Sequence, residues 1–298
     1  MKGAPPGSAV GLNFLPLQNR CALEKTEPPE FLYRYMRVDR CEFVKRAANA
    51  ISGKIYFPRP KDFNDPFDFT FGEINAENSY NIDVKCLKDT FQNWGVYCLC
   101  EKPDNLLMWS HYADAHRGIC LQFDTKKFLS EIERKRCEFI NKMENKNNKF
   151  DNTQNNTRAS AENQKQYIEK NIFFGIEKIS YETRRAPLNN IGHGPVCWVH
   201  KFHKSILKTK FIDWKYEKEW RIILTPPKSY NEPDKRPIIF KFAPCIVSGV
   251  MFGFKMDQFR RNKLMKTFKK FNPMLRFYQA RESIDGFFVT CFEIKADQ

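Results

Sequence analysis

The sequence predicts an α+β fold: one domain over residues 30–298, built on a bent, mostly antiparallel or mixed sheet with flanking helices. Three observations lead there. Short alternating apolar segments recur along the chain with single helical patterns set between them. Several of the connections are short, and no fixed-period repeat organises the chain.

The 298 residues, 42% apolar and 29% charged, suffice for one substantial core or two small ones and exclude collagen-like, mucin-like and wholly disordered classes. No segment approaches the ~18 consecutive apolar residues of a membrane-spanning helix, and the N-terminus lacks the charged-then-apolar layout of a signal peptide. A cytosolic chain that avoids the membrane is expected. The ten cysteines are scattered and read as reduced thiols. Fifty Lys and Arg against 35 Asp and Glu leave a formal charge of +15, which attracts polyanions at long range. Nucleic acid, nucleotide or an acidic surface is the company this charge predicts.

Residues 1–29 carry Gly and Pro with little periodicity and read as a flexible leader. FLYRYM (31–36) alternates as a strand does. In 41–51 the apolar residues Phe43, Val44, Ala47, Ala48 and Ile51 fall on one helical face that Gly53 closes, before a second strand at 54–57. PRPKDFNDPFDF follows; its prolines prevent regular pairing, and Asn64 and Asp65 ahead of Pro66 favour a turn held by side-chain hydrogen bonds. GVYCLC (95–100) reads as a buried strand. Asp104 or Asn105 is placed to cap a helix through LLMWSHYADAH, ended by Gly118, and ICLQF (119–123) is the next strand.

From 130 to 171 the composition turns to Glu, Lys and nine Asn, a charged insertion of two helical flanks around a disordered tip. GIEKISYE (175–182) is a strand and 200–210 fits a helix. IDWKYEKEWRIIL then alternates as one strand, with Asp213, Lys215, Glu217, Glu219 and Arg221 on one face. The last seventy residues predict strands at PIIFKF and CIVSGVMF, a helix over 255–270, and strands at LRFYQA and GFFVTCFEI.

Four constellations carry chemistry. On a strand, Glu217 and Glu219 would lie ~7 Å apart on one face, where paired carboxylates stabilise a sugar cation while one activates a nucleophile; an exposed face balanced by Lys215 and Arg221 is the plainer alternative. Arg34 between Tyr33 and Tyr35 suits a pyrophosphate bracketed by rings, or is an edge-strand cation. In LMWSHYADAHRG a helix would place Met108, Trp109 and Tyr112 on one face with His111 nearer Leu107; His111 and His116 lack the spacing of a metal pair. Cys197, His200 and His203 share helical spacing without a second ligand pair, so no metal is expected. Arg260, Lys263, Lys266 and Lys270 form a basic stripe opposite Leu264, Met265, Phe268 and Phe271, fit for a phosphate backbone or simply for solvent.

YRY, IYFPRPKDFNDPFD, YCLCEKPDNLLMWSHYADAHRGICLQFD and WKYEKEWRI, in this order, resemble the bacterial and phage-borne family called domain of unknown function family 2971, over residues 31–294 apart from the insertion. A second resemblance is to the ADP-ribosyltransferase fold: an early strand with an Arg between aromatics, a helix, a second strand, and a late strand with Glu-x-Glu. It implies a split sheet and NAD as substrate. Arg34 would hold the NAD phosphates and ribose, Glu219 the ribose 2′-hydroxyl and the cation left as nicotinamide departs, and Glu217 would orient or deprotonate the acceptor. Tyr33, Tyr35, Asn64, Asp65, Trp109, His111 and Tyr112 complete the expected NAD site. The second strand reads YFPRP where that fold has a Ser-Thr-Ser triplet. The expected activity is transfer of ADP-ribose to nucleic acid or protein, as a toxin or antiphage effector, with Glu219→Gln inactive but folded. The alternatives are a basic nucleic-acid-binding module in which Arg260, Lys263, Lys266 and Lys270 carry affinity, and an interaction protein using the charged insertion.

Overall fold

A computed structural model of the protein describes residues 27–70, 94–150, 174–185, 206–224 and 238–295. The leader up to 26, the part of the 130–171 insertion from 151 onward, the loop through Pro187, Gly192, Gly194 and Pro195, the Cys197–His200–His203 trio and most of the helix expected from 200 lie outside the described residues.

The first elements sit where the sequence places them: β1 (Phe31–Met36), α1 (Cys41–Ile51), β2 (Lys54–Phe57), β3 (Gly95–Cys100) and β4 (Ile119–Asp124). The apolar face of α1 buries Ala47, Ala50 and Ile51. The chain then turns at Gly53, whose φ of +84° and Cβ position only 2.1 Å from the Phe242 carbonyl oxygen admit no side chain.

Asn105 caps α2 (Leu106–Tyr112), its Oδ1 accepting the Leu107 and Met108 N–H groups at 2.9 and 3.2 Å. This helix stops four residues earlier than the sequence predicts, and Gly118 is not what ends it. Asp114, Ala115 and His116 take φ of 50°, 47° and 70°, a left-handed turn that costs on the order of 1–2 kcal/mol per residue. Its N–H groups offset that cost by serving the helix's free carbonyls: Ala115 donates to Ser110 O at 3.3 Å and His116 to Trp109 O at 3.2 Å. The turn also fits because Gly253 lies beside it; a Cβ there would meet His116 O at 2.1 Å.

α3 (Thr125–Phe150) starts directly after β4 and carries Phe128 and Ile132 into the core. The first helical flank expected from 130 is therefore present, as the continuation of a helix whose start packs in the core. Asp124 Oδ1 accepts the Lys127 N–H at 3.0 Å, which sets that start. The strand expected over 175–182 is two, β5 (Phe174–Lys178) and β6 (Ser180–Glu182), separated at buried Ile179 and assigned to different sheets.

The predicted helix over 200–210 ends instead in β7 (Thr209–Phe211), and the single strand over IDWKYEKEWRIIL is corrected to two pieces. Ile212–Glu217 is a 3-10 turn, Lys218 takes left-handed φ 45° and ψ 53°, and β8 (Glu219–Leu224) follows. The remaining elements are β9 (Ile238–Lys241), β10 (Val247–Phe252), α4 (Gln258–Lys269), β11 (Arg276–Glu282) and β12 (Val289–Ile294).

Eight strands form one mixed sheet in the order β12-β11-β10-β4-β1-β3-β8-β5, parallel only between β10 and β11; β2 pairs with β9 and β6 with β7 in small two-stranded sheets. The α+β prediction with a mixed sheet holds. The large sheet is continuous rather than divided into two, yet one seam is weak. β1 pairs with β4 along six residues and β3 with β8 along six, whereas β1 meets β3 only at Tyr33 and Cys100. One face of the sheet is covered by α1, α3, α4 and the β2–β9 ribbon around Leu32, Tyr97, Phe123, Ile222 and Phe252. The other carries α2, with Tyr35, Cys100, Trp109 and Cys120 in a smaller cluster.

Candidate active site

Where β1 and β3 part, a cavity of about 730 Å³ runs between the strands and is lined from both faces of the sheet. That volume lies in the range of small-molecule sites. Alternation along the strands decides which side chain looks which way. Tyr33, Tyr35, Cys98 and Cys100 line it on the α2 side, and Arg34, Met36, Tyr97 and Leu99 on the α1 side. The Arg34 guanidinium lies 4.2 Å from the Tyr97 ring centroid and donates to the Cys98 carbonyl at 2.6 Å. It thereby serves a β3 acceptor that the open seam leaves without a strand partner.

At the α2 end stand three carboxylates and two cations. Lys210 Nζ lies 2.5 Å from Glu217 Oε2, 3.1 Å from Glu219 Oε2 and 3.9 Å from Asp68 Oδ2. Arg221 Nε donates to Glu219 Oε1 at 2.7 Å, its Nη2 reaches both Asp68 oxygens at 2.8 and 2.9 Å, and its Nη1 donates to Leu207 O at 3.2 Å. The Phe69 ring packs on the Arg221 guanidinium at 4.7 Å. Arg221 is 0% exposed and Glu219 3%, so this is a desolvated network in which each charge depends on the others.

Three acids against two bases leave one negative charge if all ionise, and burial makes that costly. The network settles it unequally. Burial raises Glu219, but the Arg221 guanidinium and the Lys210 ammonium outweigh it and hold its carboxyl at about 2. Glu217 is raised above its ordinary value by burial, opposed by Lys210 and reinforced by Glu219. Asp68 is raised by burial too, against the pull of Arg221. Lys210 would be lowered by burial, yet its three carboxylate neighbours raise it, so it stays an ammonium and does not serve as a nucleophile.

Glu219 is thus a fixed anion and Glu217 a group able to exchange a proton. Tyr112 Oη donates to Glu217 Oε1 at 2.6 Å, and Tyr181 Oη accepts the Glu219 N–H at 2.7 Å. Asn105 Nδ2 donates to the Tyr216 carbonyl at 2.7 Å, tying the cap of α2 to the turn that carries Glu217.

The sequence-predicted residues divide. Glu217, Glu219, Arg34, Tyr33, Tyr35, Asn64, Asp65 and Tyr112 all line the cavity. Asp65 Oδ1 accepts the Phe67 N–H at 2.8 Å, the side-chain turn that the sequence predicts ahead of Pro66. Trp109 does not line it: it is fully buried, donates Nε1 to Pro103 O at 2.8 Å and meets Tyr35 edge-on at 5.1 Å, a core role. His111 is exposed outside the lining, 6.2 Å from the Tyr216 ring. The short helix turns Met108 and Trp109 inward and leaves His111 on its outer side.

Sequence reasoning missed Lys210 and Asp68. Lys210 fell in a segment read as helix, although T-K-F has the alternation of a strand; Asp68 was inside the FNDPFDF corner without being singled out. Arg221 was seen only as a balancing surface charge, and no local signal marks it as buried.

Outside the cavity lining, Lys263 and Lys266 on α4 and Lys270 at its C-cap are exposed, while Arg260 is partly buried with its Nη2 directed to the Val38 carbonyl. Phe271, predicted on the apolar face, is 45% exposed, because α4 ends at Lys269 before reaching it.

A family model described as Protein of unknown function (DUF2971) matches residues 108–222. The resemblance to that family holds over this segment, which contains most of α2, β4, Lys210 and the Glu217–Arg221 run. No curated protein and no solved structure matches the chain. No helix among the described residues is long and apolar enough to cross a membrane.

Proposed function

We propose that the chain is an ADP-ribosyltransferase-like enzyme of the cytosol, using NAD as substrate in the cavity between β1 and β3. The observation that carries this reading is the Glu217–Glu219 pair, bridged by Lys210 at one end of a cavity whose other side presents Arg34.

The chemistry follows from the charges. As the C1′–N bond of the nicotinamide ribose breaks, its electron pair leaves with nicotinamide and the ribose becomes an oxocarbenium-like cation. A buried cluster with one carboxylate in excess favours that cation over the neutral ribose. Glu219, already ionised, supplies a charge that need not form during the reaction. Glu217, raised by burial, takes the proton of the acceptor nucleophile as it bonds to C1′, and a raised carboxyl suits a base operating near neutrality. Arg34 presents a guanidinium to the diphosphate.

The test is nicotinamide release and transfer of label from NAD carrying a labelled adenine phosphate, with wild type beside Glu217→Gln. Release and transfer by the wild type, both lost in the variant, support the reading. A folded wild-type protein that neither binds NAD nor releases nicotinamide sinks it.

A second reading, a nucleic-acid-binding module without NAD chemistry, is favoured by Lys263 and Lys266 on α4 and Lys270 at its C-cap, which stand exposed with no ion pair among the described residues. Neutralising all three would then abolish polyanion binding.

A further inference from the structure

The α1-side mouth of the cavity carries an arrangement that the carboxylate chemistry does not use. Cations and aromatic rings alternate across it. The Arg37 guanidinium lies 4.9 Å from the Phe43 ring centroid, the Arg46 guanidinium 5.6 Å from the same centroid, and Arg46 also lies 5.9 Å from the Tyr56 ring centroid. All four residues line the cavity, as do Lys54 and Asn49.

Local structure explains the ladder. Phe43 and Arg46 are three apart on α1 and so share a face. Lys54 and Tyr56 are the outward positions of β2, opposite buried Ile55 and Phe57. Arg46 and Lys54 are exposed and Tyr56 is 37% exposed. Arg37 is held by Asp39 through hydrogen bonds of 2.7 and 2.6 Å, whereas Arg46 and Lys54 have no carboxylate partner among the described residues. Asp62 and Asp65 also line the cavity.

We infer that this mouth is a binding track for single-stranded nucleic acid, which delivers the acceptor nucleotide to the carboxylate end; the word acceptor rests on the transferase reading, the binding does not. Rings interleaved with cations match a strand whose bases offer free faces and whose phosphates repeat between them. A duplex hides its base faces in the stack and gains only the phosphate attraction. The formal charge of +15 supplies the long-range attraction, and the ladder supplies preference for the single strand.

The experiment is fluorescence anisotropy of a fluorescein-labelled oligothymidylate, an oligouridylate and a DNA duplex with the full chain, without NAD. Wild type is compared with Tyr56→Ala, the double variant Arg46→Ala/Lys54→Ala, and the triple Lys263→Ala/Lys266→Ala/Lys270→Ala. Because the replaced side chains are on the surface, circular dichroism should show unchanged folds. Single strands should bind tighter than duplex, and Tyr56→Ala and the double variant should each weaken that binding about tenfold. Three results overturn the inference: duplex binding as tight as single-strand binding, loss confined to the α4 triple variant, or displacement of the oligonucleotide by polyglutamate at equal charge concentration. Nicotinamide release, assayed separately, distinguishes the two readings. Release with no ladder-dependent binding removes the track alone, whereas ladder-dependent binding with no release removes the transferase and leaves the track.

Discussion

The two ends of the cavity solve opposite problems. At the α2 end, Asp68, Lys210, Glu217, Glu219 and Arg221 are buried and bonded to one another. At the α1 end, Arg46, Lys54 and Tyr56 are open to solvent. Charges in the first group hold the fold as well as any reaction, because removing one strands its partners in a low-dielectric interior. Those in the second are nearly free of structural duty, because water replaces whatever a substitution removes. The same type of change therefore has different consequences at the two ends.

The largest expected effect is Arg221→Met, which leaves Asp68 and Glu219 buried without their guanidinium; a loss of about 3–5 kcal/mol should appear in urea unfolding as a shift of midpoint or as no folded protein. Glu219→Gln comes next, at about 3 kcal/mol, since it removes one of the two carboxylates that pair with buried Arg221 and one of those that pair with Lys210. If Glu219→Gln keeps wild-type stability, the cluster is less coupled than its geometry indicates. Glu217, which does not bond to Arg221, is therefore the cleaner substitution for testing the reaction.

Glu217→Gln should cost only about 1 kcal/mol, because Lys210 keeps Glu219 and Asp68 and the amide oxygen still accepts from Tyr112. Its signature lies in pH. A carboxyl raised on folding binds more protons in the native than in the unfolded state, so its contribution falls as pH rises above the ordinary value of 4.5. Glu219, lowered to about 2, contributes stability that is present above 4.5 and lost on acidification. Unfolding free energy measured through mildly acidic to neutral pH should fall less steeply in Glu217→Gln than in wild type. An unchanged slope would remove Glu217 as the proton-exchanging member. The smallest effect is Arg46→Ala, within about 0.5 kcal/mol in the same unfolding experiment; a larger loss would mean that the ladder holds α1 to β2 rather than awaiting a ligand.

Much of the frame was legible because it is local. The spacing of Val44, Ala47 and Ile51, a cap at Asp104 or Asn105 and the alternation in FLYRYM and GVYCLC depend on near neighbours; β1, α1 and β3 formed where they indicate, and α2 starts there, capped by Asn105. Failures came where distant contacts outweighed local pattern. Alternation across IDWKYEKEWRIIL fits one strand, but Asn105 holds the Tyr216 carbonyl and Lys218 adopts a left-handed turn, so only Glu219–Leu224 joins the sheet. Trp109 and His111 are both candidates within one motif; helical phase within α2 turns Trp109 into the core and His111 to solvent.

By itself the sequence determined the α+β class, the basic charge and the presence of Arg34, Glu217 and Glu219 as residues suited to phosphate and sugar chemistry. Composition and short-range periodicity carry that information. Tertiary structure alone decided that β1 and β3 part after one pair, that Lys210 and Asp68 join the two Glu, and that Glu217 rather than Glu219 is free to exchange a proton. Those outcomes depend on desolvation and on charges contributed by segments far apart in the chain, and neither quantity exists until the chain has folded.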